Sequence, residues 1–316
     1  MSSADTAIRR SRVSLSALAL AAVAVLMFSG TVPATRIAVA TLDPVVVGVG
    51  RSVLGAVLAA IYLLWERAPR PTRSQLPGLL VVAGGAAVGF GFFSAEALRS
   101  VSAVHGSIVI GLLPMLTAAF GVMRTREAPR PLFWVALFFG TAAVVWYATS
   151  GLRAERLSLG DAFLLAALVL AAAAYTEGGR LARTMPGGQV IAWGLVLALP
   201  VSVPLTAVAL AGPRFSPSPQ SLAALGYMAV FSVFVGMVLW YRSMGLAGVA
   251  RASTIQLAQP LLSVAWSWLL IGEPVRPQAV VAAICVLASV ATAQRARIVA
   301  LREPASRLRT RPGLTQ

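Results

Sequence analysis

Four glutamates in this chain are each followed three residues later by an arginine: Glu96 and Arg99, Glu127 and Arg130, Glu177 and Arg180, Glu273 and Arg276. On a helix that spacing puts both side chains on one face, close enough to pair. Glu127 and Glu273 fall at the ends of apolar runs, where an interfacial ion pair accounts for them. Glu96 and Glu177 lie within or at the edge of such runs, where an ionisable group is costly and tends to face a protein interior. Both are therefore candidates for substrate binding or proton coupling. Arg51 lies inside a further apolar run. Three roles are open to it: snorkelling outward, pairing with a buried acid such as Glu96, or recognising an anionic substrate.

A second set of candidates repeats along the chain. Glu127-Ala-Pro-Arg130-Pro131 recurs as Glu273-Pro-Val-Arg276-Pro277, 146 residues later, and the same offset pairs Pro114 with Pro260 and Ser107 with Ser253. A proline inside a helix removes one amide donor and frees the carbonyl four residues earlier, here at Ile110 and Gln256. Freed backbone at membrane depth is tolerated where it is buried in protein or faces a water-filled cavity. One such proline alone reads as a packing kink; two at repeat-related positions point to paired elements around a central site. Ser107, Ser253, Gln256 and Gln259 are the polar groups these runs offer, for helix-to-helix hydrogen bonds or for substrate contact. Trp240 and Tyr241 end another run beside Arg242, where an aromatic belt or the mouth of a cavity explains them.

Other chemistries are excluded. All 26 basic residues are arginine, so a P-loop lysine and a Schiff base are both impossible. The single cysteine, Cys285, cannot form a disulfide within the chain. The lone histidine, His105, makes neither a zinc site nor a Ser-His-Asp triad; it reads as an interfacial residue, with proton carriage as the alternative. Gly84, Gly85, Gly89 and Gly91 lack the flanking strand of a phosphate loop, whereas Gly85 and Gly89, four apart, let two helices approach closely. No cofactor or metal is expected. A polytopic membrane enzyme acting on a lipid or headgroup is the rival reading, motivated by Glu96 and Glu177, but no nucleophile with its base and no paired carboxylates stand at defined spacing.

The elements that must position these residues are membrane spans. Of 316 residues 58% are hydrophobic and 11% charged, with a mean hydropathy of +0.83, outside the range of soluble domains. Ten runs approach the length needed to cross a bilayer as helices: near 15–34, 45–64, 76–98, 106–123, 132–148, 162–178, 190–211, 222–241, 252–271 and 279–293. The expected fold is an all-α membrane protein. Its ten transmembrane helices form two five-helix repeats, 14–149 and 158–293, between an N-terminal tail (1–13) and a basic C-terminal tail (295–316). Five crossings per repeat force the second copy to enter the bilayer in the inverted sense.

The net charge of +16 does not indicate nucleic acid, because the arginines lie between spans and in the tails instead of forming one basic face. With the N-terminus cytoplasmic, nineteen fall inside, six outside and Arg51 within a span. The positive-inside rule thus places both termini in the cytoplasm. The first run also looks like a signal peptide, but nine further spans and the repeat favour an uncleaved helix.

At these residues the chain resembles EamA-type members of the drug/metabolite transporter superfamily. The matching stretches are Asp43-Pro44 with Arg51; Ala97-Leu98 leading to Ser107, Pro114 and Glu127; Gly160-Asp161 opening the second repeat; and Gln259-Pro260 before Gly272-Glu273. The family's first span usually carries Trp-Gly, whereas this chain has Phe28-Ser29 before Gly30 and Thr31; Ser29 is the candidate position in that span. The resemblance implies an inverted ten-helix bundle with a central cavity lined by spans one, three, four, six, eight and nine. It further implies secondary transport of a small metabolite, an amino acid or related compound, commonly outward across the bacterial cytoplasmic membrane, with protons as candidate coupling ions. The binding candidates are Ser29, Glu96, Ser107, Pro114, Glu177, Trp240, Gln256, Gln259 and Pro260.

Overall fold

Continuous apolar sequence in lipid must satisfy its own backbone, and the chain does so with helices. A computed structural model describes residues 3–125, 131–149, 158–212, 216–247 and 255–302. Ten spans follow: α1 (Ser16–Ala38), α2 (Val46–Trp65), α3 (Leu76–Ala97), α4 (Ala103–Arg124), α5 (Pro131–Tyr147), α6 (Leu159–Leu181), α7 (Gly187–Leu210), α8 (Pro219–Leu246), α9 (Gln259–Ile271) and α10 (Pro277–Thr292). Seven are long and apolar enough to cross a membrane, and α5, α9 and α10 are shorter apolar helices. The first helix starts at Ser3 and the last continues to Arg302, so much of what reads as tail prolongs the outermost helices. An even number of crossings puts the start of α1 and the end of α10 on one face, here called the tail face.

Helix ends are set by local chemistry. Ser102 accepts from the His105 amide at the start of α4, and Ser158 with Asp161 and Ser218 with Ser221 form reciprocal capping boxes at α6 and α8. Pro131, Pro219 and Pro277 occupy first turns, where a missing amide hydrogen is harmless.

The packing is that of an inverted repeat. Helix α2 packs on α7, α4 on α9 and α5 on α10, while α1 packs on α8 as α3 packs on α6. Between lipid-bathed helices the association rests on close van der Waals contact, for which small residues are favoured. Gly85 and Gly89 provide it: a Cβ at either would run into Leu170 of α6. Leu64, Trp65, Phe138 and Val208 are strongly exposed, as expected of side chains facing hydrocarbon. Three spans contain wider π-helical stretches, Val46–Gly50, Ala83–Gly89 and Met228–Gly236, a local unwinding frequent at functional sites. The last two are related by the repeat offset to within one residue.

Candidate functional site

The two prolines break their helices as the loss of an amide predicts. In α4 the α-helix stops at Ile110, turns through Gly111 and Leu112, and resumes at Leu113. In α9 a short 3-10 turn, Gln256–Ala258, precedes the helix beginning at Gln259. The breaks meet. Ser107, Ile110, Gly111, Pro114, Gln256, Gln259, Pro260 and Ser263 line one small cavity of about 10 Å³, room for a single water. Gln256 Nε2 donates to Gln259 Oε1 at 3.4 Å, and the Ser107 hydroxyl donates to the Ala103 carbonyl at 2.7 Å. Ser29 adjoins this seam: its carbonyl accepts from Ser263 Oγ (2.8 Å) and its hydroxyl from Trp266 Nε1 (3.1 Å). Ser29, Ser107, Pro114, Gln256, Gln259 and Pro260 are thus brought together, whereas Ser253, Glu127 and Arg130 lie outside the described residues.

The remaining candidates lie elsewhere. Glu96, at the end of α3 opposite the tail face, pairs with Arg99 at 2.9 Å in a partly exposed ion pair and does not reach Arg51. Glu177 ends α6 on the tail face, where its two oxygens take Arg124 of α4 (2.8 Å) and Arg180 (2.7 Å). Trp240 is fully buried in the tail-side half of α8, its ring 6.1 Å from Phe28 and 6.2 Å from Tyr175. With Tyr241, these aromatics fill the space between α1, α6 and α8.

On the opposite face two ties were not anticipated. His105 Nε2 and Asp161 Oδ1 stand 2.6 Å apart, joining α4 to α6, and both Glu273 oxygens accept the α4 backbone amides of Ala103 and Val104 at 3.0 Å. The glutamate therefore caps α4, with Arg36 3.8 Å away, and stabilises the positive end of the helix dipole. Its position just before a helix reads as a local ion pair; the helix it serves is 170 residues distant.

Beside the seam, the halves of α1, α8 and α9 remote from the tail face border an open apolar cavity of about 540 Å³, a volume in the range of small-molecule sites, with Leu26, Phe231 and Leu270 of its lining exposed. Gly30, Ala34, Tyr227, Phe231, Trp266 and Leu270 line it. Next to it Arg51 is 2% exposed. Its Nη1 donates to Met228 Sδ at 3.7 Å, its guanidinium carbon lies 5.6 Å from the centre of the Phe90 ring, and its Nε has no partner among the described residues. Among the described residues no metal-binding group of acids, cysteines and histidine is present.

Relatives give this arrangement its class. A solved crystal structure of a protein superimposes with a TM-score of 0.64 at 19% identity, covering 90% of this chain and 98% of that one, and so shares the fold. An uncharacterized transporter of Archaeoglobus fulgidus is 22% identical over 80% of this chain and 89% of its own length. The uncharacterized transporter YdeK of Bacillus subtilis is 38% identical over 273 residues, covering 86% of this chain and 95% of that protein. The model of the EamA-like transporter family matches twice, at 15–149 and 158–293. With both five-helix repeats matched, the chain belongs to the EamA-like transporter family, a family of multi-pass membrane transporters and not of enzymes.

Proposed function

We propose that this protein is a secondary transporter that moves a small metabolite, an amino acid or related compound, outward across a bacterial cytoplasmic membrane by alternating access. The observation that carries the reading is the seam: a helix break from each repeat, at matched positions, meeting at one polar point between α4 and α9. Two half-bundles that touch through broken helices can rock about that point while most backbone hydrogen bonds stay intact. Ties on each face supply what such rocking must make and break. Glu177 with Arg124 and Arg180 holds the tail face; His105 with Asp161 and Glu273 with the start of α4 hold the other. The excess of arginine on the tail face supports both termini being cytoplasmic, and protons are the candidate coupling ions.

Purified protein in liposomes, without ATP, should carry at least one solute of a panel of amino acids, organic acids, amines and nucleosides down its gradient. Absence of flux for the whole panel, under both a pH gradient and an electrical potential, would contradict the proposal.

A further inference from the structure

Among the described residues Arg51 is a charge without a countercharge. The intramembrane carboxylates among the described residues are engaged elsewhere: Glu96 with Arg99, Asp161 with His105, Glu177 with Arg124 and Arg180. A guanidinium has five donors and no acceptor, and the contacts here are a thioether sulfur and an aromatic face. Neither carries the negative charge that would compensate desolvation. Elsewhere on α8 the buried Trp240 Nε1 also lacks a partner among the described residues, its ring 6.2 Å from that of Tyr175 on α6.

The backbone around this point is shaped for it. Arg51 follows the π-helical stretch of α2, Phe90 and Gly91 follow that of α3, and Met228 opens that of α8. Helices α2 and α3 touch backbone to backbone at Gly48 and Gly91, and a Cβ on Gly91 would stand 3.2 Å from Arg51 Nη2. Met228 separates Arg51 from the apolar cavity. Its sulfur accepts from both Arg51 and Thr35 Oγ1 (3.1 Å), and Tyr227 and Ala34, next to Met228 and Thr35 in the chain, line that cavity. An unbranched thioether side chain is readily displaced.

We infer that Arg51 is an anion site for the carboxylate of a small organic acid whose apolar body occupies the neighbouring cavity. The inference rests on the transporter reading and narrows its substrate class. A planar guanidinium matches a carboxylate through two parallel hydrogen bonds. Among the described residues no free carboxylate stands beside Arg51 to pair with an ammonium, so an acid without an amino group is preferred to the corresponding amino acid.

The test uses full-length protein in detergent and matched probes: 3-phenylpropionate, 4-methylpentanoate, the amides of both, and phenylalanine. The two acids should raise the thermal midpoint, the amides and phenylalanine should not. Arg51→Met should weaken acid binding by at least about tenfold, as loss of a charge-assisted hydrogen bond predicts, without lowering the ligand-free midpoint, because an uncompensated charge is removed. Arg51→Lys should fall between. Equal stabilisation by acids and amides, no stabilisation by either acid, or undiminished acid binding in Arg51→Met would overturn the inference. Should Arg51→Met not fold, the acid–amide contrast in the unaltered protein still decides. Flux of neutral or cationic solutes, with none of acids, would sink the anion site and leave the transporter reading standing. No flux of any solute would remove both.

Discussion

At the seam between α4 and α9, Pro114 has Pro260 as its counterpart, Ser107 on one side and Gln256, Gln259 and Ser263 on the other line the gap, and most of the polar groups find partners. Around Arg51 none of this holds. The position 146 residues later is Leu197, the equivalent stretch of α7 is unbroken α-helix, and Arg51 Nε is buried without a partner among the described residues. The difference separates two requirements of a duplicated transporter. Rocking needs matched elements in both halves, and Pro114 with Pro260 supplies them; recognising an asymmetric solute does not, and Arg51 has no counterpart in the second repeat. An unpartnered buried charge lowers stability, a cost that fits the binding role proposed for Arg51.

Four substitutions sharpen this contrast. The largest effect is expected from Gly91→Leu, which forces a side chain into the Gly48 backbone and toward Arg51. It should destabilise the purified protein by about 3 kcal/mol or more and abolish ligand stabilisation, as overpacking of a close contact does. An unchanged unfolding midpoint would mean that α2 and α3 part freely there. At the seam, Pro114→Ala and Pro260→Ala should each cut liposome flux by roughly tenfold while leaving the midpoint equal or higher, since an amide donor is restored to the helix. Unequal effects on flux would break the symmetry assigned to the pair.

Smaller effects belong to the ion pairs. Glu177→Gln loosens α4 from α6 on the tail face and should cost about 1 kcal/mol, because both arginines are substantially exposed and screened. Denaturation in low and high salt measures it, and the deficit should shrink in high salt. Glu96→Gln should change stability by less than about 0.5 kcal/mol and flux not at all, its pair with Arg99 being surface-like. A large loss of flux would return Glu96 to the transport path.

These predictions also show what the sequence discloses. Glu96 and Glu177 carry the same arginine spacing, and local pattern makes them equal candidates. The third partner that distinguishes them, Arg124, is 53 residues from Glu177 and visible only once α4 lies on α6. The proline seam was legible because the duplication prints its prolines twice, and Ser107 with Ser253 beside them. Arg51 was legible as a charge inside a span, but its surroundings were not, since Met228 is 177 residues away and unpaired donors leave no pattern. The π-helical stretches were hidden for another reason: a continuously apolar run looks the same whether it winds with 3.6 residues per turn or more loosely. The ten spans themselves followed from the hydrophobic runs, with ends shifted by a few residues where capping serines and first-turn prolines decide.

The account turns on reciprocal motion of the two faces about the seam. In a Cys285→Ser background, spin labels at Ser100 and Pro274 report one face and labels at Ser74 and Arg183 the tail face; all four positions are exposed. Distances measured by electron paramagnetic resonance in lipid, with and without 3-phenylpropionate or another solute shown to be carried, should change in opposite senses, one pair closing as the other opens. Both distances staying fixed, or both moving in the same sense, would contradict alternating access about the α4 and α9 prolines.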